Sequence, residues 1–122
     1  MSKSGPTLSI VIPALDEEEA IGGTIERCLA ARARIVAESP VADVEIVVVS
    51  DGSTDRTEEI ARSFPAVTVL VFERNRGYGA AIKTGFAHAR GEWVSFLDAD
   101  GTCDPAFFAV LCWALEEQDA DL

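Results

Sequence analysis

Three acidic stretches carry the groups in this sequence that could do chemistry: Pro13-Ala14-Leu15-Asp16-Glu17, Asp51-Gly52-Ser53 and Asp98-Ala99-Asp100. In the last, one residue separates two carboxylates, so both can turn toward one ion. Hard oxygen donors of this kind suit Mg2+ or Mn2+, which accept one or two protein carboxylates and fill their other positions with water and substrate phosphates. The ligand this implies is a diphosphate. Asp51 could accept a hydrogen bond from a base or sugar, and Gly52 would let the backbone turn sharply and approach a bound ring. Asp55 is expected to cap the following helix, leaving Asp51 free.

Each acidic stretch follows a short block rich in branched apolar residues: Leu8 to Pro13, Val44 to Ser50, and Trp93 to Leu97, with a further block at Val67 to Phe72. Nearly continuous apolar runs of this length read as buried parallel strands. Helical spacing separates them, the first helix aligning Ile21, Ile25, Cys28, Leu29 and Val36 on one face. Asp16 with Glu19, and Asp55 with Glu58, have the spacing of helix-start caps, and Gly91 reads as a helix stop. Asp104 and Pro105 are expected to open a fourth helix with Phe108, Leu111, Cys112 and Leu115 on one face. Strand–helix alternation predicts an α/β fold, an open, mostly parallel sheet with helices on both faces. Ligands in such sheets bind beyond the carboxyl ends of the strands, where strand order reverses.

Composition narrows the partners. With 21 acidic against 10 basic side chains the net charge is -11, which disfavours nucleic acid. Three cysteines without metal-type spacing, and no signal-peptide-like start, point to a reduced, cytoplasmic setting. No apolar run approaches the roughly 20 residues that cross a bilayer. Asn75-Arg76-Gly77-Tyr78-Gly79-Ala80-Ala81 is a weak match to a dinucleotide loop, since that fingerprint belongs after the first strand; its small residues read as close helix–sheet packing. His88 reads as a surface helix cap, and Phe107, Phe108 and Trp113 as packing.

Ile10-Val11-Ile12-Pro13-Ala14, Asp16-Glu17-Glu18, Val49-Ser50-Asp51-Gly52-Ser53-Thr54-Asp55, Asn75-Arg76-Gly77-Tyr78-Gly79 and Asp98-Ala99-Asp100-Gly101, in this order, resemble family 2 glycosyltransferases, most closely the dolichol- and polyprenyl-phosphate sugar transferases. The resemblance implies the Rossmann-like N-terminal half of a GT-A glycosyltransferase domain, with residues 1–122 as one truncated nucleotide-sugar-binding domain. By position it implies that Pro13, Leu15, Glu17, Val49 and Asp51 surround the nucleoside, while Asp98, Ala99 and Asp100 hold ribose, diphosphate and metal, the metal on Asp98 and Asp100. Departures from the family pattern are Asp16 for asparagine, Leu15 for tyrosine, Ser50 for an acid and Thr102 for a metal-binding glutamine. Lys83 occupies a helix position that can face the nucleotide.

The resemblance further implies a nucleotide-diphosphate sugar as donor and a polyprenyl-phosphate acceptor, with a peripheral station at the inner face of a membrane. Related enzymes continue for roughly another hundred residues, and Asp119-Ala120-Asp121-Leu122 reads as the start of a fifth strand, so the general base is expected beyond Leu122 and no catalytic residue is assigned within the chain. The competing expectation is a non-catalytic remnant that self-associates through an open sheet edge.

Overall fold

The computed structural model of the protein describes residues 4–100. Four strands, β1 (Thr7–Ala14), β2 (Asp43–Asp51), β3 (Thr68–Phe72) and β4 (Trp93–Phe96), alternate with α1 (Ile21–Glu38), α2 (Thr57–Arg62) and α3 (Tyr78–His88). The sheet runs β3-β2-β1-β4, and every pairing is parallel. The predicted α/β sheet with helices on both faces is therefore the observed fold. The helix expected from Asp104 lies outside the described residues.

The central pair, β1 and β2, explains the apolar runs. Side chains alternate across a strand, and here both faces are covered. Leu8, Ile10, Ile12, Val44, Ile46 and Val48 pack with Ile21, Ile25, Cys28, Ala31 and Ile35 of α1. Val11, Val47 and Val49 face the other way, onto Phe72 of β3 and Ala81 of α3. Each such large side chain, fully withdrawn from water, contributes about 1.5–3 kcal/mol before chain entropy is charged against it. On α1 the buried stripe is Ile21, Thr24, Ile25, Cys28, Ala31 and Ile35; Leu29 and Val36, expected on the same face, are half-buried against it.

Two glycines permit close approaches that a side chain would block. A Cβ on Gly85 would stand 2.3 Å from Val11 Cγ1, so α3 sits directly on β1. The expected small-residue packing is thus carried by Ala81 and Gly85, whereas Gly79 has open space. At Gly52 φ is +72°, and a Cβ would lie 2.4 Å from Asn75 N. What crowds Gly52 is therefore the backbone of the β3–α3 loop. Gly91 does not stop a helix: α3 ends at His88, and Gly91 instead presses on β1, donating its amide to Ser9 Oγ at 2.9 Å.

The chain runs outward from β1 through β2 to β3, then returns to place β4 on the other side of β1. That reversal opens a crevice between the carboxyl ends of β1 and β4, the place where ligands enter sheets of this kind.

Candidate functional site

A cleft of about 470 Å³ occupies this reversal point, lined from β1 and its loop by Pro13, Ala14, Leu15 and Glu17, and from β2 by Asp51. Asn75, Gly77, Tyr78 and Ala81 form its roof, and Asp98, Ala99 and Asp100 close the β4 side. All the residues predicted for the site stand here except Val49. Val49 is fully buried below the cleft with Val11, Val47 and Phe72, because strand alternation aims it at α3. Lys83 is exposed and is not among the lining residues.

The β1–α1 and β2–α2 loops are clasped by side chains reaching in both directions. Asp16 N donates to Ser53 Oγ at 3.0 Å, and Thr54 N donates to Asp16 Oδ1 at 2.8 Å. Glu17 N donates to Thr57 Oγ1 at 2.9 Å, Glu18 N to Asp55 Oδ2 at 3.2 Å, and Arg56 N to Glu18 Oε2 at 3.1 Å. Asp16 sits at φ +51°, a left-handed conformation that aspartate tolerates better than most residues. The predicted cap at Asp16 is thus corrected: α1 begins without a side-chain cap, and Asp16 bonds across to the neighbouring loop. Asp55 does satisfy the first turn of α2, through Thr57 N at 2.9 Å, while Glu58 pairs with Arg62. Burial raises the Asp55 pKa somewhat, but hydrogen bonds from the Thr57 hydroxyl, the Thr57 amide and the Glu18 amide outweigh it and hold the carboxyl below its ordinary value.

Asp51 is buried, and both its oxygens are engaged. Oδ1 accepts from Arg76 N at 2.7 Å and Oδ2 from Gly77 N at 3.0 Å. The expectation that Asp51 is free is corrected, because the close approach at Gly52 brings the β3–α3 loop amides onto it. A carboxylate offers about four lone-pair sites, so two such bonds leave room for a ligand donor. Arg76, whose backbone makes one of these bonds, lays its guanidinium 4.5 Å from the centre of the Phe72 ring.

At the β4 end, Ala99 is buried in the core and its carbonyl accepts from Thr24 Oγ1 at 3.0 Å. With Ala99 turned inward, Asp98 and Asp100 are both left exposed at the cleft, the alternation expected of this sequence. Tyr78 Oη donates to Asp98 Oδ1 at 2.8 Å, and the Tyr78 ring meets Phe96 edge-on, 6.3 Å between centroids. Sequence reasoning missed Asn75, Gly77, Tyr78 and Ala81 as lining residues, having assigned their segment to packing. The available signal was positional, since a loop after the strand beside β2 must open at the same edge of the sheet.

Glu17, Asp51, Asp98 and Asp100 thus share one cleft, and no lysine or arginine lines it among the described residues. Such a gathering favours a cation. No three carboxylate, histidine or cysteine groups converge on one point among the described residues; Asp98 and Asp100 line the cleft as a pair. A pair fits Mg2+ or Mn2+ with phosphate and water completing the shell.

The sequence profile described as glycosyl transferase family 2 matches residues 9–122. The chain belongs to this family. Among family relatives, it is 38% identical over 100 residues to a dolichyl-phosphate beta-glucosyltransferase of Drosophila melanogaster, covering 77% of this chain and 31% of that protein. It is 33% identical over 120 residues to a dodecaprenyl-phosphate galacturonate synthase of Rhizobium johnstonii, covering 94% of this chain and 34% of the relative. Among solved structures of similar fold, glucosyl-3-phosphoglycerate synthase from Mycobacterium tuberculosis, in complex with Mn2+, UDP and phosphoglyceric acid, superposes with a TM-score of 0.61 at 31% identity, over 80% of this chain and 34% of that one. The chain spans about a third of the length of the curated relatives it matches. The family's GT-A fold is the one seen here. Among the described residues no helix is long and apolar enough to cross a membrane.

Proposed function

We propose that this chain forms the donor-binding part of a glycosyltransferase that takes a nucleotide-diphosphate sugar together with Mg2+ or Mn2+. The observation that carries this reading is that Asp51, at the end of β2, and the Asp98–Asp100 pair, just after β4, line one cleft at the sheet's reversal point. In this assignment the nucleoside lies at the β1–β2 side, against Pro13, Leu15 and Glu17, where Asp51 accepts from the base. Leu15, exposed at 44%, supplies an apolar surface for a ring. Ribose and diphosphate lie toward Asp98, Ala99 and Asp100, with the two carboxylates holding the metal. When bound, the cation neutralises charge developing on the departing nucleoside diphosphate as a Lewis acid. The chain's own part is to fix the donor before reaction: the loop clasp and the Asp51 amide bonds hold the cleft wall, so little reorganisation remains at the moment of transfer.

Relatives named for dolichyl-phosphate and dodecaprenyl-phosphate sugars support a polyprenyl phosphate as acceptor, met at a membrane surface. Isothermal calorimetry of the 122-residue chain with UDP-, GDP- and dTDP-sugars and manganese tests the reading. Binding of one donor, lost in Asp100→Ala, is expected; a chain that binds none of them refutes it.

A further inference from the structure

We propose that Tyr78 is a positioning residue whose phenol presets the Asp98 carboxylate for the metal–diphosphate end of the donor; this rests on the donor-binding function proposed above. Asp98 is exposed at a strand end, where a carboxylate ordinarily samples several rotamers. Here one oxygen accepts from the phenol at 2.8 Å, and among the described residues that phenol is the only side-chain partner Asp98 has. The phenol is itself held at two points. Its ring stands edge-on to Phe96, two residues before Asp98, with an interplanar angle of 84°. Its backbone opens α3 directly after Gly77, whose amide is fixed on Asp51 Oδ2 at 3.0 Å. Tyr78 lines the cleft and is 52% exposed, and Phe96, against its ring, is 48% exposed.

A chain of contacts therefore runs from Asp51 through Gly77 and Tyr78 to Asp98, joining the two ends of the cleft. The bond to the phenol occupies one acceptor position on Oδ1, leaving its other lone pair and Oδ2 for the ligand. Fixing a carboxylate before binding removes an ordering cost from the binding step.

The chain contains a single tyrosine, so labelling the tyrosine ring carbon that bears the hydroxyl with carbon-13 gives one resonance. Asp98→Asn should shift it, as should saturation of the wild-type chain with UDP and manganese, or GDP and manganese if that is the nucleotide bound. Tyr78→Phe keeps the ring on Phe96 and removes only the hydroxyl. It should weaken nucleotide–manganese binding about three- to tenfold, the scale of one charge-assisted bond at an exposed site, with an unchanged melting temperature. A resonance indifferent to Asp98→Asn overturns the proposal. So does a Tyr78→Phe chain that binds like wild type while Asp98→Asn does not, an outcome that leaves donor binding standing. A fall in melting temperature that accounts for the lost affinity makes Tyr78 structural and also overturns it. A wild-type chain that binds neither nucleotide with manganese removes the donor-binding function, and this proposal with it.

Discussion

Replacing Asp51 by asparagine alters almost nothing in shape and should cost a great deal. In the folded chain the carboxylate receives Arg76 N at 2.7 Å and Gly77 N at 3.0 Å, one on each oxygen. The substituted side chain could keep one acceptor, but its amide group would then point donors at the other N–H. One charge-assisted bond, about 1.5–3 kcal/mol, is lost outright, and a backbone donor is left facing a donor, which adds about 1 kcal/mol at this partly buried site. The sum is roughly 2–4 kcal/mol. For a chain of this size each kcal/mol moves the melting temperature by about 3–4 °C, so a fall of about 6–16 °C is expected by circular dichroism. Asp98→Asn is the control, since an exposed substitution should stay within about 1 kcal/mol of wild type. If Asp51→Asn melts within about 2 °C of wild type, the β3–α3 loop is not held by this carboxylate and the argument fails.

Two glycines of α3 should respond oppositely to alanine: Gly85→Ala drives a methyl into Val11 and should destabilise by about 1–3 kcal/mol. Gly79→Ala meets open space and should stabilise by about 0.5 kcal/mol through helix propensity; chemical denaturation measures both. Because the Asp55 pKa is lowered on folding, its contribution is present above the unfolded value of 3.8 and is lost as pH falls through the folded one. Melting temperature should therefore drop less steeply below about pH 4 in Asp55→Asn than in wild type. Burial pushes the Cys28 thiol up to about 12, only partly offset by Arg27, so peptide mapping after iodoacetamide at neutral pH should find Cys28 unmodified in the native chain and modified in denaturant.

The sheet was legible because its central strands are buried on both faces, which writes long apolar runs into the sequence. The same property hid Val49. In a run such as Val47-Val48-Val49 both faces are apolar, so parity cannot be read from residue type, and only the observed packing onto Phe72 and Ala81 assigns it. The loop clasp was hidden for a different reason. An aspartate before a helix carries the same signature whether it bonds its own helix, as Asp55 does with Thr57, or a loop 38 residues away, as Asp16 does with Thr54. Spacing detects a short polar side chain near free amides, and tertiary structure decides which amides they are. The bond from Tyr78 to Asp98 was unreadable because the two lie 20 residues apart and meet only after β4 returns beside β1.

Four carboxylates in one cleft set a condition on the fold. Mutual repulsion opposes the folded state, yet an ion site needs those groups unneutralised. Two of the acids are held by donors that carry no full charge: backbone amides on Asp51 and a phenol on Asp98. A lysine or arginine in either place would relieve the repulsion more strongly, but it would also compete with a cation for the same oxygens. Neutral donors orient the carboxylates and leave their charge in place for the ligand. In the proposed donor site, a lining without basic side chains among the described residues leaves the positive charge to be supplied by the cation that accompanies the substrate.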